Sequence, residues 1–147
     1  VAIATPFLLV YTPAKEKTMP RYFTLQEASE TLNAIRPMME ELVSISQKII
    51  AKQPEIWPAI EKSAGNGGNP TLSRLVREFE RLDDLLHRLQ DLGVLIKDMS
   101  AGLIDFPAIR DGREVYLCWK VGEDHIAYWH EIETGFAGRQ PIDSFEI

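Results

Sequence analysis

The chain has a single cysteine, Cys118, so no intrachain disulfide is open to it. A lone thiol fits a reducing compartment, and the expectation is a cytoplasmic protein. Long apolar runs are missing too. The opening stretch Val1–Tyr11 falls well short of the roughly 20 residues that a bilayer-crossing helix needs. No Lys or Arg precedes it, as a secretory signal would require. Residues 1–18 therefore read as an extension outside the fold, disordered or mis-assigned to the chain, with a degenerate signal or anchor segment as the rival. Also lacking are G-x-x-x-x-G-K-[ST], H-E-x-x-H, C-x-x-C and G-x-S-x-G, which removes the commonest nucleotide, metalloprotease, redox and hydrolase classes. Basic residues are scarce in the last third. Residues 98–147 carry 10 acidic and 4 basic side chains, against 12 and 12 in residues 1–97, so the whole net charge of -6 lies there. A groove that tracks nucleic-acid phosphates needs clustered Lys and Arg. The charge sign argues against nucleic acid and favours a cation, a metal or a basic partner.

What is present reads as one soluble domain over residues 19–147. The chain has 147 residues, 45% of them hydrophobic and 26% charged, enough for a real core. Thr24-Leu25-Gln26-Glu27 is a capping box, a hydroxyl for an orphan N–H with Glu three residues on. The apolar positions after it, Leu25, Ala28, Leu32, Ile35, Met39, Leu42 and Ile49, form one helical stripe. Pro37 keeps the stripe in phase and predicts a kink, whereas Pro54 predicts the end of the helix. Residues 53–70 read as a connection, with a short helical turn over Glu55–Lys62 and a mobile Ser63–Asn69. Asn69 or Thr71 caps a second helix with Pro70 in its first turn. Its stripe is Leu75, Phe79, Leu82, Leu86 and Leu89, and Gly93 stops it. Two heptad helices joined by a loop predict an antiparallel helical hairpin over residues 24–92. Arg74–Glu78 and Asp84–Arg88 are spaced as ion pairs on its outer side, and His87 reads as exposed.

After Gly93 the period changes to two. Asp111-Gly112 suits a two-residue type I′ turn, and Val121-Gly122-Glu123-Asp124 suits a type II′ turn with Gly first. Two tight turns set the register. Ile104 faces Trp119, Phe106 faces Leu117 and Ala108 faces Val115. Trp119 then faces Ile126, Leu117 faces Tyr128 and Val115 faces His130. That register makes one face almost wholly apolar, which supports it, because a one-residue slip would scramble the pattern. The other face carries Asp105, Tyr116, Cys118, Lys120, His125, Ala127, Trp129 and Glu131. The expected fold is α+β: a long antiparallel helical hairpin packed on a three-stranded antiparallel meander over residues 94–142, with Val94–Lys97 available as a fourth strand. A Gly-punctuated closing loop seats Phe136.

Several blocks carry a resemblance: Asp105-Phe106-Pro107, Arg110-Asp111-Gly112-Arg113-Glu114-Val115, Cys118-Trp119, Tyr128-Trp129-His130-Glu131 and Gly135-Phe136-Ala137-Gly138-Arg139. With the opening Arg21–Leu42 they span about Arg21 to Ile142. This pattern resembles the bacterial domain-of-unknown-function family 2203. The resemblance implies a small soluble bacterial protein. It implies no activity, because the family is uncharacterised.

The ligand-binding candidates are Asp105, Tyr116, Trp129, His130, Glu131 and Arg139. His130 sits at the rim of the apolar face in the expected register. Glu131, its neighbour on the strand, points the other way. His130 reads as a hydrogen-bonded edge histidine, or as a metal ligand or proton carrier joined by Glu133 or a helix carboxylate. Asp105 faces Cys118, and negative charge beside a thiol makes a poor nucleophile. Cys118 thus reads as a plain half-buried strand cysteine. Trp129 opposite Tyr116 makes an aromatic row, either a binding patch or a surface covered by the Phe136 loop. Arg139 either clamps a carboxylate or phosphate, or forms a salt bridge to Glu131, Glu133 or Asp105.

Two readings of function follow. The first is a non-enzymatic binding or protein-interaction module, with the hairpin pairing as a homo-oligomer or taking a protein partner, and no membrane role. The second is a metal-binding or hydrolytic protein using His130, Glu131 and Asp105. The residues leave the cofactor open.

Overall fold

A computed structural model of the chain describes residues 21–66 and 68–144; the extension read at residues 1–18 lies outside them. Helix α1 (Leu25–Asn66) and helix α2 (Pro70–Asp91) are followed by strands β1 (Leu95–Asp98), β2 (Leu103–Arg110), β3 (Arg113–Lys120), β4 (Tyr128–Glu131) and β5 (Gln140–Pro141). Each strand pairs antiparallel with its neighbour in sequence, so the sheet is a five-stranded meander. The fold is α+β, with the expected fourth strand present as β1 and a fifth added at the tail.

The capping box forms as read: the Glu27 amide donates to Thr24 Oγ1 at 3.1 Å, and the Thr24 amide donates to Glu27 Oε1 at 3.4 Å. Asn69 caps α2, its side chain accepting from Thr71 N and Leu72 N. At the other end Gly93, at φ +87°, lets its own amide reach Gln90 O and that of Val94 reach Leu89 O, the paired closure of a left-handed stop.

Pro54 does not end α1, which runs through Pro37, Pro54 and Pro58 to Asn66. Pro54 and Pro58 are one turn apart and both exposed. The carbonyls they deprive of partners therefore lie on the solvent side, where water satisfies them. On the protein side Ile56 and Ala59 still pack against the core and α2. Tertiary packing outweighs the proline penalty here.

The core lies between the helix pair and one face of the sheet. Leu32, Ile35, Met39 and Leu42 of α1, Leu82, Leu85 and Leu89 of α2, and Ile104, Phe106, Leu117 and Trp119 of the strands are buried together. Each such side chain contributes roughly 1.5–3 kcal/mol. Phe79, expected in the stripe, is instead 37% exposed, while Leu75 before it and Leu82 after it are buried.

The β2–β3 hairpin has the register the Asp-Gly turn dictates, with Ile104 opposite Trp119 and Asp105 opposite Cys118. Asp111 and Gly112 both have positive φ, as a type I′ turn requires. The β3–β4 register differs by one residue from the expected one: Leu117 faces Trp129, Tyr116 faces His130 and Cys118 faces Tyr128. The turn is centred one residue earlier, on Val121-Gly122, closed by Glu123 N to Lys120 O at 3.0 Å. The chain then continues through an open loop instead of pairing at once. That loop is held from outside. Arg36 of α1 donates to the carbonyls of Glu123 and Asp124 at 3.2 and 2.8 Å, and the Trp119 indole donates to Glu123 O. The slip moves Trp129 into the core and turns Tyr128 and His130 to the outer face.

Gly102, between β1 and β2, sits at φ +70° with Val121 Cγ2 only 2.4 Å and Val43 Cγ2 2.7 Å from where a Cβ would lie. Gly102→Ala is expected to cost on the order of 2–3 kcal/mol by urea denaturation, from strain and overpacking together. Gly68→Ala, with nothing within 4 Å, should leave the midpoint unchanged.

Candidate functional site

The outer face of the sheet holds a closed polar cluster. Asp105 on β2 and Cys118 on β3 are direct cross-strand partners. His130 reaches from β4 across β3 to the same point, with Nε2 3.0 Å from Asp105 Oδ1. The ring of Tyr116, its cross-strand partner, stands edge-on to the imidazole with centroids 5.6 Å apart. Asp105, Cys118 and His130 are 1%, 0% and 2% exposed. One ligating atom from each lies within 4.8 Å of the other two.

The far side of the imidazole fixes its tautomer. Nδ1 is 2.7 Å from the Glu131 carbonyl oxygen. A carbonyl only accepts, so Nδ1 carries a hydrogen. Nε2 faces the carboxylate.

Cys118 is no nucleophile. Burial, reinforced by the Asp105 charge, pushes its thiol up to about 12, against a smaller opposing pull from Arg139. Both ring nitrogens of His130 are engaged by other groups, so the thiol–imidazole pair that activates a catalytic cysteine is not assembled.

Arg139 arrives from the closing segment. Its guanidinium grips Glu123 with Nη1 to Oε2 at 3.0 Å and Nη2 to Oε1 at 2.5 Å. It stacks 4.2 Å over the Tyr128 ring and 4.6 Å over Phe136, and it lies beside the Cys118 sulfur. The segment is anchored by β5, where Tyr128 pairs with Pro141, and by Ile142 N to Ala127 O at 2.9 Å.

The candidate residues thus separate. Asp105 and His130 come together, Tyr116 lines their flank, and Arg139 closes over the Cys118 end through Glu123. The salt bridge read for Arg139 to Glu131, Glu133 or Asp105 is replaced by this one. Trp129 is in the core facing Leu117, with the Arg110 guanidinium 4.3 Å over its ring, so the Trp129–Tyr116 row does not exist. Glu131 is ion-paired with Arg113, with Nε to Oε2 at 3.0 Å, and only its backbone carbonyl meets His130. Phe136 stacks on Arg139 rather than covering an aromatic row, and it stays 46% exposed. Cys118 and Glu123 are the participants the residue pattern did not bring forward. The signal for Cys118 was present in its pairing with Asp105, and only the parity of the next turn hid His130 from them. His87 and His125 are exposed.

A second feature lies at the other end. The buried positions of α1 run from Ala28 to Ile49, and beyond them only Ala59 is buried among the described residues. Trp57, Ile60, Val76 and Phe79 are exposed on this overhanging part of the helix pair, Trp57 at 66% and Val76 at 54%. At the opposite end of the molecule Tyr22, Ile109 and Ile132 are exposed, beside the Tyr22–Glu114 hydrogen bond. No helix among the described residues is long and apolar enough to cross a membrane.

The fold and cluster describe a small α+β protein with a sealed polar centre and exposed apolar residues at one end of its helix pair. The family model described as "Uncharacterized conserved protein (DUF2203)" matches residues 21–142, and the chain belongs to that family. No curated protein and no solved structure matches it.

The raised Cys118 thiol gives a stability signature. The native thiol keeps its proton to about 12, while the unfolded chain loses it near the ordinary 9.0. Between those values the native state binds more protons, so stability falls as pH rises. With a chelator present, so that the thiol carries only its proton, the wild-type denaturation midpoint should decline more steeply over that window than that of Cys118→Ala. Parallel declines would contradict the assignment.

Proposed function

We propose that this chain is a protein-interaction module that pairs with a second copy of itself through the overhanging end of its helix pair. The observation that carries the reading is the exposure of Trp57 and Val76, in helices whose neighbouring turns bury the same kind of residue. A helix pair alone cannot cover both of its apolar faces, and a further surface removes that area from water.

Geometry favours a second copy as the occupant. The overhang itself is charge-balanced, with Lys52, Lys62, Arg74 and Arg77 against Glu55, Glu61, Glu78 and Glu80, while residues 98–147 hold the whole net charge of -6. A two-fold antiparallel arrangement sets the neutral overhang of each copy beside the acidic strand half of the other, so neither copy repels its partner there. It also brings Trp57 and Val76 toward Tyr22, Ile109 and Ile132. Such an isologous interface closes on itself and does not propagate into fibres.

The test uses exposed positions. Leu82 and Leu86 are 3% and 4% exposed, so changing them breaks the core. Trp57→Asp with Val76→Asp should leave helix content and the denaturation midpoint in place while shifting the dimer–monomer equilibrium by at least about tenfold, near 1.4 kcal/mol. Native mass spectrometry reads the result. A monomeric wild type at high micromolar concentration would sink the proposal.

A further inference from the structure

The Asp105–Cys118–His130 cluster holds a mismatch that its hydrogen bonds do not resolve. With Nδ1 donating to the Glu131 carbonyl, a neutral ring presents a bare lone pair at Nε2. That lone pair looks at Asp105 Oδ1 from 3.0 Å. Two acceptors do not face each other at that distance without something positive between them. A second ring proton is one answer and makes an imidazolium–carboxylate pair. It leaves Cys118, whose thiol hydrogen-bonds Asp105, outside the ion pair although its sulfur lies within the same 4.8 Å span.

A metal cation uses all three donors. One carboxylate and one thiolate balance a divalent ion while the imidazole stays neutral. The cluster then carries no net charge, the condition under which ions persist in an interior. Zinc bonds of roughly 2.0–2.3 Å at tetrahedral angles set donor atoms about 3.3–3.7 Å apart. The Nε2–Oδ1 separation of 3.0 Å needs to open by a few tenths of an ångström, and the sulfur, within 4.8 Å of both, needs to draw in by about one ångström. A nitrogen, oxygen and sulfur set suits zinc better than calcium or magnesium, which take oxygen.

The surroundings match as well. A metal-bound histidine is normally held by a hydrogen bond from its other nitrogen, and the Glu131 carbonyl supplies the acceptor. Arg139 lies beside the sulfur, and its Nε is buried without a hydrogen-bond partner among the described residues. A metal thiolate is a better acceptor for a guanidinium N–H than a thiol. We propose that Asp105, Cys118 and His130 bind one zinc ion, which ties β2, β3 and β4 together as a structural centre. Water completes the fourth position. The near-complete burial of all three ligands favours a structural over a catalytic role.

The experiment is a titration of the full chain, freed of metal by a chelator, with zinc and then with cobalt(II). The expected result is one ion per chain, a higher thermal midpoint with zinc, and a thiolate-to-cobalt charge-transfer band with the visible absorption of a tetrahedral ion. Cys118→Ser should lose the band and bind more than about 100-fold more weakly, beyond the usual effect of losing a supporting partner. His87→Gln and His125→Gln should bind as the wild type does. Should Cys118→Ser fail to fold, the wild-type cobalt spectrum decides alone, because Cys118 is the only cysteine in the chain. Folded wild-type protein that takes up no stoichiometric ion, or binds cobalt without a thiolate band, overturns the proposal and leaves the imidazolium–carboxylate pair.

Discussion

The carboxylate of Glu123 accepts the Lys120 amide at 2.8 Å and is gripped by both terminal nitrogens of Arg139, while Arg36 holds the same residue by its carbonyl. These bonds give the chain leaving β3 a reversal of different parity from a tight hairpin. Parity decides everything on β4, because side chains alternate between faces. With it Trp129 fills the core and His130 reaches Asp105. One residue fewer would bury Tyr128 with its hydroxyl in the core and expose the indole. Larger apolar burial on the inner face and charge pairing on the outer one favour the same register, and that agreement makes it secure.

The two faces of the sheet are held by different means. The inner face rests on area: leucine, isoleucine and aromatic side chains shared with the helices. The outer face is polar, yet its centre is as dry as the core, so each charge there needs a counterpart. Glu123 answers Arg139, the Glu131 carbonyl accepts from His130 Nδ1, and Asp105, Cys118 and His130 Nε2 meet at one point. Exposed ion pairs such as Arg81 with Glu41 are worth far less, because water competes for both partners.

Local chemistry was the legible part. Thr24 with Glu27, Asn69 with Pro70, Gly93 and Asp111-Gly112 each act within a few residues, and each formed as the residue types require. The helical hairpin and the β2–β3 pairing followed from them. The misreadings all have distant causes. Pro54 stays helical because α2 packs alongside α1. The β3–β4 register slips because Arg36 and Arg139, far away in sequence, hold the intervening loop. β5 exists only because the tail finds the free edge of β4. Asp105 opposite Cys118 was visible; His130 beside them was not, since a one-residue error in a single loop sends a side chain to the wrong face.

The meander has a kinetic consequence. Every strand pairs with its neighbour in sequence, so the sheet can zip by successive short closures, each with little loop entropy to overcome. The closures that span most of the chain are few: the Phe23 amide to the Pro107 carbonyl at 2.7 Å, Arg36 to the loop after β3, and the docking of the helices on the sheet. The topological cost of folding is therefore concentrated where the start of α1 meets β2. A chain still emerging from the ribosome would carry a formed helix pair for some time before it had a sheet to cover it.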